Sequence, residues 1–558
     1  MTPARWPGIG VGRGAAIGRV VQLAPPVRPP VDEAAGDPVR AMAQVRTATG
    51  AVAGALRDRA AGTDATTAAV LEATALMALD PSLLADVEAR VEQGVPVTHA
   101  VDAAVERFCA VLIAGGPVLA DRVTDLRDVR DRLVARLLGV PEPGLPVLTG
   151  PTVVVAADLA PSTVAAFDPR LVVAIVLELG GPTSHTAILA AELDLPCLVR
   201  VAGARTMPTG ALVAVDAAAG TTVLFPDASV RAAVARRRTA RATGRTATSG
   251  PGATRDGTPV RLLANVGTVA DAVAAAGRDV EGVGLFRTEV LFLDRTVAPS
   301  EAEQADAYAA VLAAFGERPV VVRTLDAGAD KPLTFTAGEP EVNPALGRRG
   351  LRTAARFPDL LDDQLRALRR AADRTGTEPW VMAPMVATAA EARWFADRAH
   401  AAGLPTAGAM VEVPAAALRA GAIAATCDFL SIGTNDLTQF VMATDRAAGS
   451  LAELLDPWQP AVLDLIAATG AAGRSAGIPV GVCGEAARDP LLALVLVGSG
   501  ATSLSMAAPA VPAVRSALSR TDLTTCTAMA AAARTAESAA HARAAVEAMA
   551  DPDLLDGR

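Results

Sequence analysis

The chain has 558 residues, 51% of them hydrophobic but only 3% aromatic, and its 51 basic and 60 acidic side chains give a formal charge of −9. At about 150 residues per domain, this length predicts three or four domains with cores large enough to exclude disorder over most of the chain. Lys331 is the only lysine and follows Asp330, which leaves no place for a GxxxxGK[ST] phosphate loop, and an acidic chain without basic runs argues against nucleic-acid binding.

The N-terminus, MTPARWPGIGVGRG, has no apolar core of a secretory signal, and Gly10, Gly12 and Ala15 match the dinucleotide pattern GxGxxA without the preceding strand or following βαβ unit that such a site needs. A strand, IGRVVQL, and a proline-rich loop follow. From about Asp37 to Gly139, apolar residues recur at helical spacing, as in VLEATALMALDPSLLADVEARV and DLRDVRDRLVARLLG. Val31 to Val140 holds 16 acidic and 11 basic residues, an acidic helical face suited to a basic protein partner. Between Pro151 and Pro226 short apolar runs bounded by glycine and proline predict a compact α/β domain. Asp227 to Arg245 is helical in pattern, and TATSGPGATRDG marks a break.

The second half carries eight apolar runs separated by helical stretches: RLLANV, VGLFR, VVVRTL, WVMAPMV, GAMVEV, FLSIGT, GVCGE and SLSM. Eight strands alternating with helices over about 300 residues predict a (β/α)8 barrel. Arg287, Arg323, Glu412, Asn435 with Asp436, and Cys483 each fall at or just beyond the end of a run, where barrel active sites are built. The stretch Leu491 to Val514 carries no charge and is long enough to span a bilayer, but its glycines, serines, threonines and prolines make it helix, turn, buried strand and loop, so no membrane insertion is expected. Five widely spaced cysteines without a CxxC pair point to a reducing, cytoplasmic setting.

Three features carry chemistry. In LVVAIVLELGGPTSHTAILAAEL a strand runs into Gly180 and Gly181, and Thr183, Ser184 and His185 open a helix. A glycine turn feeding a helix start offers free N–H groups to an anion, and a neutral imidazole there is placed to carry a phosphoryl group, with Thr183 or Ser184 orienting the ring. Glu412 and Asp436 are hard oxygen ligands suited to Mg²⁺, and Arg287, Arg323 and Arg446 supply permanently charged donors for a phosphate. Cys483 at a strand end is either a buried small hydrophobe or, at the barrel mouth, a proton donor.

These segments resemble a known family. GGPTSHTAILA resembles the phosphohistidine signature of the phosphoenolpyruvate-utilising enzymes, and GVGLFRTEVLFLDR, VVVRTLDAGADK, NPALGRRGLR, GAMVEVPAAA, FLSIGTNDLTQF and GVCGEAARDP resemble, in order, their barrel signatures. The layout of the whole chain is most similar to the enzyme I group of the bacterial phosphotransferase system. The resemblance implies a multidomain α/β fold. A swivelling α/β phosphohistidine domain (1–25 with 141–226) carries an inserted α-helical subdomain for the carrier protein HPr (31–140). A helical linker (227–256) and a phosphoenolpyruvate-binding and dimerising (β/α)8 barrel (257–558) follow.

It further implies that His185 takes the phosphoryl group of phosphoenolpyruvate and passes it to HPr, releasing pyruvate. Mg²⁺ is then held by Glu412 and Asp436, the substrate by Arg287, Arg323, Asn435, Asp436 and Arg446, and Cys483 is the proton donor. The chain departs from the family pattern at Ala191 in place of arginine, Thr74 in place of histidine, and Ala329 in place of glycine. Two other readings compete: a synthase or dikinase using ATP, for which the N-terminal block is too short, and a divergent paralogue acting as a phosphorylation-dependent regulator or scaffold with little turnover.

Overall fold

The computed structural model describes the chain apart from residues 1–3, 12–13, 24–26, 61–64, 115–121, 143–145, 147, 165–166, 169, 182–184, 194, 247–248, 294, 329–332, 337–340, 342, 446–448 and 557–558. It forms two compact units, one built almost wholly from Met1–Thr239 and the other from Ala240–Arg446 and Glu453–Gly557.

The first unit contains eight strands: β1 (Ala4–Pro7), β2 (Ile9–Val11), β3 (Ala15–Gln22), β4 (Thr152–Ala156), β5 (Val172–Leu177), β6 (Cys197–Val199), β7 (Leu212–Asp216) and β8 (Thr221–Leu224). They make one mixed sheet in the order β1-β8-β7-β3-β4-β5-β6-β2. β3 runs parallel to β4 and antiparallel to β7, so a strand from the start of the chain is flanked by strands that follow the helical block. The central strands are apolar on both faces: Val154, Ile175 and Leu177 enter one core cluster, and Val153, Val155, Ala174 and Val176 another. A sheet covered on both sides explains why these runs read as continuous rather than alternating. Gly10 in β2 has a reason unrelated to dinucleotides, since a Cβ there would lie 1.7 Å from the Ala217 carbonyl oxygen.

Between β3 and β4 lie the helices Pro38–Ala60, Ala65–Ala78, Pro81–Glu92, Val97–Ala114 and Val123–Leu137. Their inward stripes, such as Val45, Val52 and Leu56, or Leu83, Val87 and Val91, repeat at three- and four-residue spacing and share one core. Asp80 caps the third helix by accepting from the Ser82 and Leu83 N–H groups, with Pro81 at its first turn. Thr74 is buried on the inward side of its helix.

The second unit is a closed parallel barrel of β9 (Arg261–Val266), β10 (Val283–Arg287), β11 (Val320–Arg323), β12 (Trp380–Ala383), β13 (Ala407–Val411), β14 (Phe429–Gly433), β15 (Val480–Cys483) and β16 (Ser503–Met506), with β16 pairing back onto β9. All eight apolar runs of the sequence supply one strand each. Three of the surrounding helices begin at reciprocal caps, Thr268 with Asp271, Ser300 with Glu303 and Thr388 with Glu391, which satisfy N–H groups left open at a helix start. Leu285, Val321, Met382, Met410, Phe429 and Cys483 form an apolar cluster inside the barrel, while a larger core lies between strands and helices.

The uncharged stretch resolves into the helix Pro490–Gly498, β16 and the start of the helix Val511–Arg520. Leu491 to Leu496 have no exposed surface, which accounts for their composition, and no helix among the described residues is long and apolar enough to cross a membrane. The helix ends where it meets Leu523–Arg534: a Cβ on Gly498 would lie 2.0 Å from the Cys526 carbonyl oxygen. Gly498→Ala therefore forces two packed helices apart, at an expected cost of about 1–3 kcal/mol. Urea unfolding of the full chain should show a lowered barrel transition, and an unchanged midpoint would mean that the helix slides at no cost.

Candidate active site in the barrel and the histidine helix

The carboxyl ends of the barrel strands collect the polar groups. Arg287 and Arg323 are the last residues of β10 and β11 and stand in register with each other. Glu412 follows β13 directly, Asn435 and Asp436 lie in the first turn of the helix Thr434–Val441 after β14, and Cys483 ends β15 in register with Gly433. Glu412, Asp436, Arg323 and Cys483 are buried, whereas Arg287 and Asn435 face solvent. Asn435 Oδ1 accepts from the Glu485 N–H at 3.2 Å, which ties the β14 and β15 loops. Arg446 lies outside the described residues.

What joins these groups is a layer of buried ion pairs. Arg349 grips Asp326 with two bonds, Nε to Oδ1 at 2.9 Å and Nη2 to Oδ2 at 2.8 Å, and reaches Asp436 with two more, at 2.9 and 3.2 Å. Arg323 pairs with Glu289 at 2.9 Å and Asp326 at 3.0 Å, and Glu289 also accepts the Asp326 N–H. Asp326, Arg349 and Glu412 each keep 1% of their surface exposed, so water cannot screen these charges.

Burial works against the charge of Arg323, but Glu289, Asp326 and Glu412 outweigh it and hold the guanidinium pKa above its ordinary value. The same opposition, won by Asp326 and Asp436, raises that of Arg349. Arg323 Nε is buried without a hydrogen-bond acceptor among the described residues, a donor left open inside the barrel mouth.

Sequence reasoning assigned no role to Glu289, Asp326 or Arg349. Each lay within a segment already singled out, FRTEV, VVVRTLDAG and NPALGRRGLR, but a pairing across 87 positions, such as Arg349 with Asp436, leaves no periodic trace. Met385 is a second such case. Its φ of +57° is costly for a side chain of this size, and its N–H donates to Glu412 Oε1 at 2.6 Å.

The donor set fits a divalent cation. Four carboxylates (Glu289, Asp326, Glu412, Asp436) share the buried layer with two guanidiniums (Arg323, Arg349), leaving two negative charges in excess. The strain of that excess falls on Glu412. Burial, then the neighbouring Asp326 and Asp436, push its carboxyl up to about 8 against the pull of Arg323 and the Met385 N–H. Glu412 and Asp436 are the residues that would hold Mg²⁺, an ion content with one or two carboxylates plus water and substrate oxygens.

Burial likewise raises the Cys483 thiol, outweighing the Ser431 hydroxyl at 3.6 Å and the charges of Arg323 and Arg287, so the sulfur keeps its proton. Its Sγ also lies 3.5 Å from the Ile432 carbonyl oxygen.

In the first unit, β5 leads to Gly180, whose φ of +82° makes the turn, and His185 opens the helix His185–Glu192. Thr183 and Ser184 lie outside the described residues, as does Ala329, and only the backbone of His185 is described. Thr186 anchors the helix through a bond to the Leu159 carbonyl. Arg200, itself at φ +58°, donates from Nε to the Gly180 carbonyl at 3.3 Å and so brings a cation to this turn. The other histidines have local roles: His99 Nε2 lies 2.8 Å from the Pro30 carbonyl oxygen, His400 lies 3.4 Å from Asp428, and the exposed His541 sits at the capped start of its helix.

Comparison with known proteins finds three matching domains along the chain. The PEP-binding domain of the PEP-utilising enzymes matches residues 241–523, their mobile domain residues 148–220 and their N-terminal domain residues 7–122. A phosphoenolpyruvate-protein phosphotransferase of Streptomyces coelicolor is 51% identical over 505 residues, covering 90% of this chain and 91% of the relative. The chain belongs to the PEP-utilising enzymes. Proteins of the same name from Haloferax volcanii and Cupriavidus necator are 41% and 36% identical, covering 79% and 89% of this chain and 80% and 91% of their own lengths. As a PEP-utilising enzyme, the chain combines a helical N-terminal block, a mobile α/β domain and a PEP-binding barrel.

The raised Glu412 value makes a pH prediction for the metal-free chain. A carboxyl that binds its proton more tightly folded than unfolded contributes stability that is lost as pH rises from the ordinary carboxylate range through about 8. Urea midpoints measured in chelator between pH 5 and 9 should fall for the wild type, and Glu412→Gln, which keeps the neutral form, should flatten that fall. Parallel curves would show that Glu412 ionises normally.

Proposed function

We propose that this chain carries the phosphoryl group of phosphoenolpyruvate on His185 and hands it to a histidine of an HPr-type carrier, with release of pyruvate, the first step of sugar uptake by the phosphotransferase system. The observation that carries the reading is the buried barrel layer, in which the Arg323 Nε donor is left open in a site that also holds the buried carboxyls of Glu412 and Asp436 and a protonated thiol.

Arg287, Arg323 and Arg446 hold the phosphate and carboxylate of the substrate, and Asn435 and Asp436 complete its cradle. Glu412 and Asp436 would hold Mg²⁺, which would supply charge neutralisation to the transferring group. The His185 imidazole attacks phosphorus, a P–N bond forms, and the P–O bond to the enolate breaks. The enolate methylene carbon then takes the proton of Cys483, giving pyruvate, and the thiolate regains a proton from solvent. A thiol held above its ordinary pKa is protonated when the enolate appears, which is the state a general acid needs. The arginine layer does the larger share, since phosphoryl transfer depends on alignment and charge stabilisation more than on covalent help.

His185 and the barrel belong to different compact units, which supports a reading in which the histidine domain swivels between the barrel and the carrier. The carrier docks on the helical block, where Leu76, Val111 and Ile113 are exposed among a surplus of acids. Thr74 is buried, so its side chain is not offered to a docking partner. The homodimer through the barrel that the family resemblance implies belongs to the same proposal.

Intact mass after phosphoenolpyruvate and Mg²⁺ should show one acid-labile phosphate on the wild type, none on His185→Ala, and loss of that phosphate when HPr is added. Phosphoenolpyruvate binding without any phosphorylation would leave the barrel a sensor and favour the regulator reading. Because Arg200 already brings a cation to the Gly180 turn, Ala191→Arg should change the lifetime of the phosphorylated form less than twofold, whereas Arg200→Gln should shorten it several-fold; the reverse order would assign the missing charge to position 191.

A further inference from the structure

At the amino-terminal end of the strands, opposite the candidate active site, a cavity of about 280 Å³ enters the interior. It is bounded by the first or second residues of several strands, among them Arg261 of β9, Trp380 of β12, Phe429 of β14, Gly481 of β15 and Ser503 of β16. Barrel interiors are normally filled by layers of large side chains. Here glycine and serine on β15 and β16 leave the space, and the aromatic rings stand across it.

Three observations define what would fit. Trp380 and Phe429 lie with ring centroids 5.1 Å apart at 45°, and Trp380 is only half-buried, so a third ring has an aromatic surface to pack on. Arg261 is the single charged residue lining the cavity, no acid lines it, and Arg261 has no salt bridge among the described residues. The volume is at the lower edge of small-molecule pockets, which run from about 300 Å³ upward, and so admits a one-ring compound.

We propose that this cavity binds a small aromatic carboxylate, its ring against Trp380 and Phe429 and its carboxylate on Arg261. The lining includes Ser431, the third residue of β14, whose hydroxyl donates to Cys483 Sγ, so an occupant reaches a group in direct contact with the thiol of the candidate active site.

Calorimetric titration of the full chain with benzoate should show one saturable site per chain, and acetate, which lacks the ring, should show none. Arg261→Gln, at the exposed rim, should weaken benzoate about tenfold, the loss expected when one charge-assisted contact is removed. Ser503→Leu, which fills the cavity, should abolish the binding. The proposal is overturned if benzoate does not saturate, if acetate binds equally well, or if Arg261→Gln leaves the affinity unchanged. The last arm decides even if Ser503→Leu does not fold.

Discussion

The barrel mouth depends on one guanidinium. Arg349 is bonded in bidentate fashion to both Asp326 and Asp436, two carboxylates that follow different strands and that would repel each other in a site closed to water. With Arg349 between them they become a lattice, and Arg323 extends it to Glu289. Pairs of this kind add little net stability, because desolvating the ions offsets most of their attraction. What they fix is position: each side chain has one arrangement in which every charge is answered, and the layer is held in place before any substrate arrives.

The same lattice sets the electrostatics. Its carboxylates outnumber its guanidiniums, and the imbalance appears as the raised carboxyl of Glu412 and the raised guanidinium values of Arg323 and Arg349. A site that is negative when empty of cation and lined with arginine suits a ligand that arrives as an anion together with a metal. Either alone would meet a poor match.

Most of the fold could be read from the sequence, because its signals are local. A barrel strand buried on both faces is a short apolar run, and a polar residue terminating such a run can only project from the carboxyl end, so Arg287, Arg323 and Cys483 declared their place in advance. The layer that holds them could not be read. Asp326, Glu289 and Arg349 are ordinary charged residues in loops, and only closure of the barrel shows that they are buried and paired. Position 74 is a similar case, since the helix carrying it is apolar around most of its surface and its register does not say which side faces the core. The left-handed backbone of Met385 leaves no mark at all, being a non-glycine residue where glycine would be the usual signal.

Cys483 is fixed at the end of one strand, its sulfur bracketed by Ser431 and the Ile432 carbonyl, and it has no freedom to approach the barrel mouth from another side. In the proposed reaction a planar enolate bound there would offer two faces to protonation, and the thiol would meet only one. In a phosphoenolpyruvate whose methylene hydrogens are distinguishable by isotope, the incoming hydrogen would complete a methyl group of single handedness. The stereochemistry of the product would thus be written by the position of one buried sulfur.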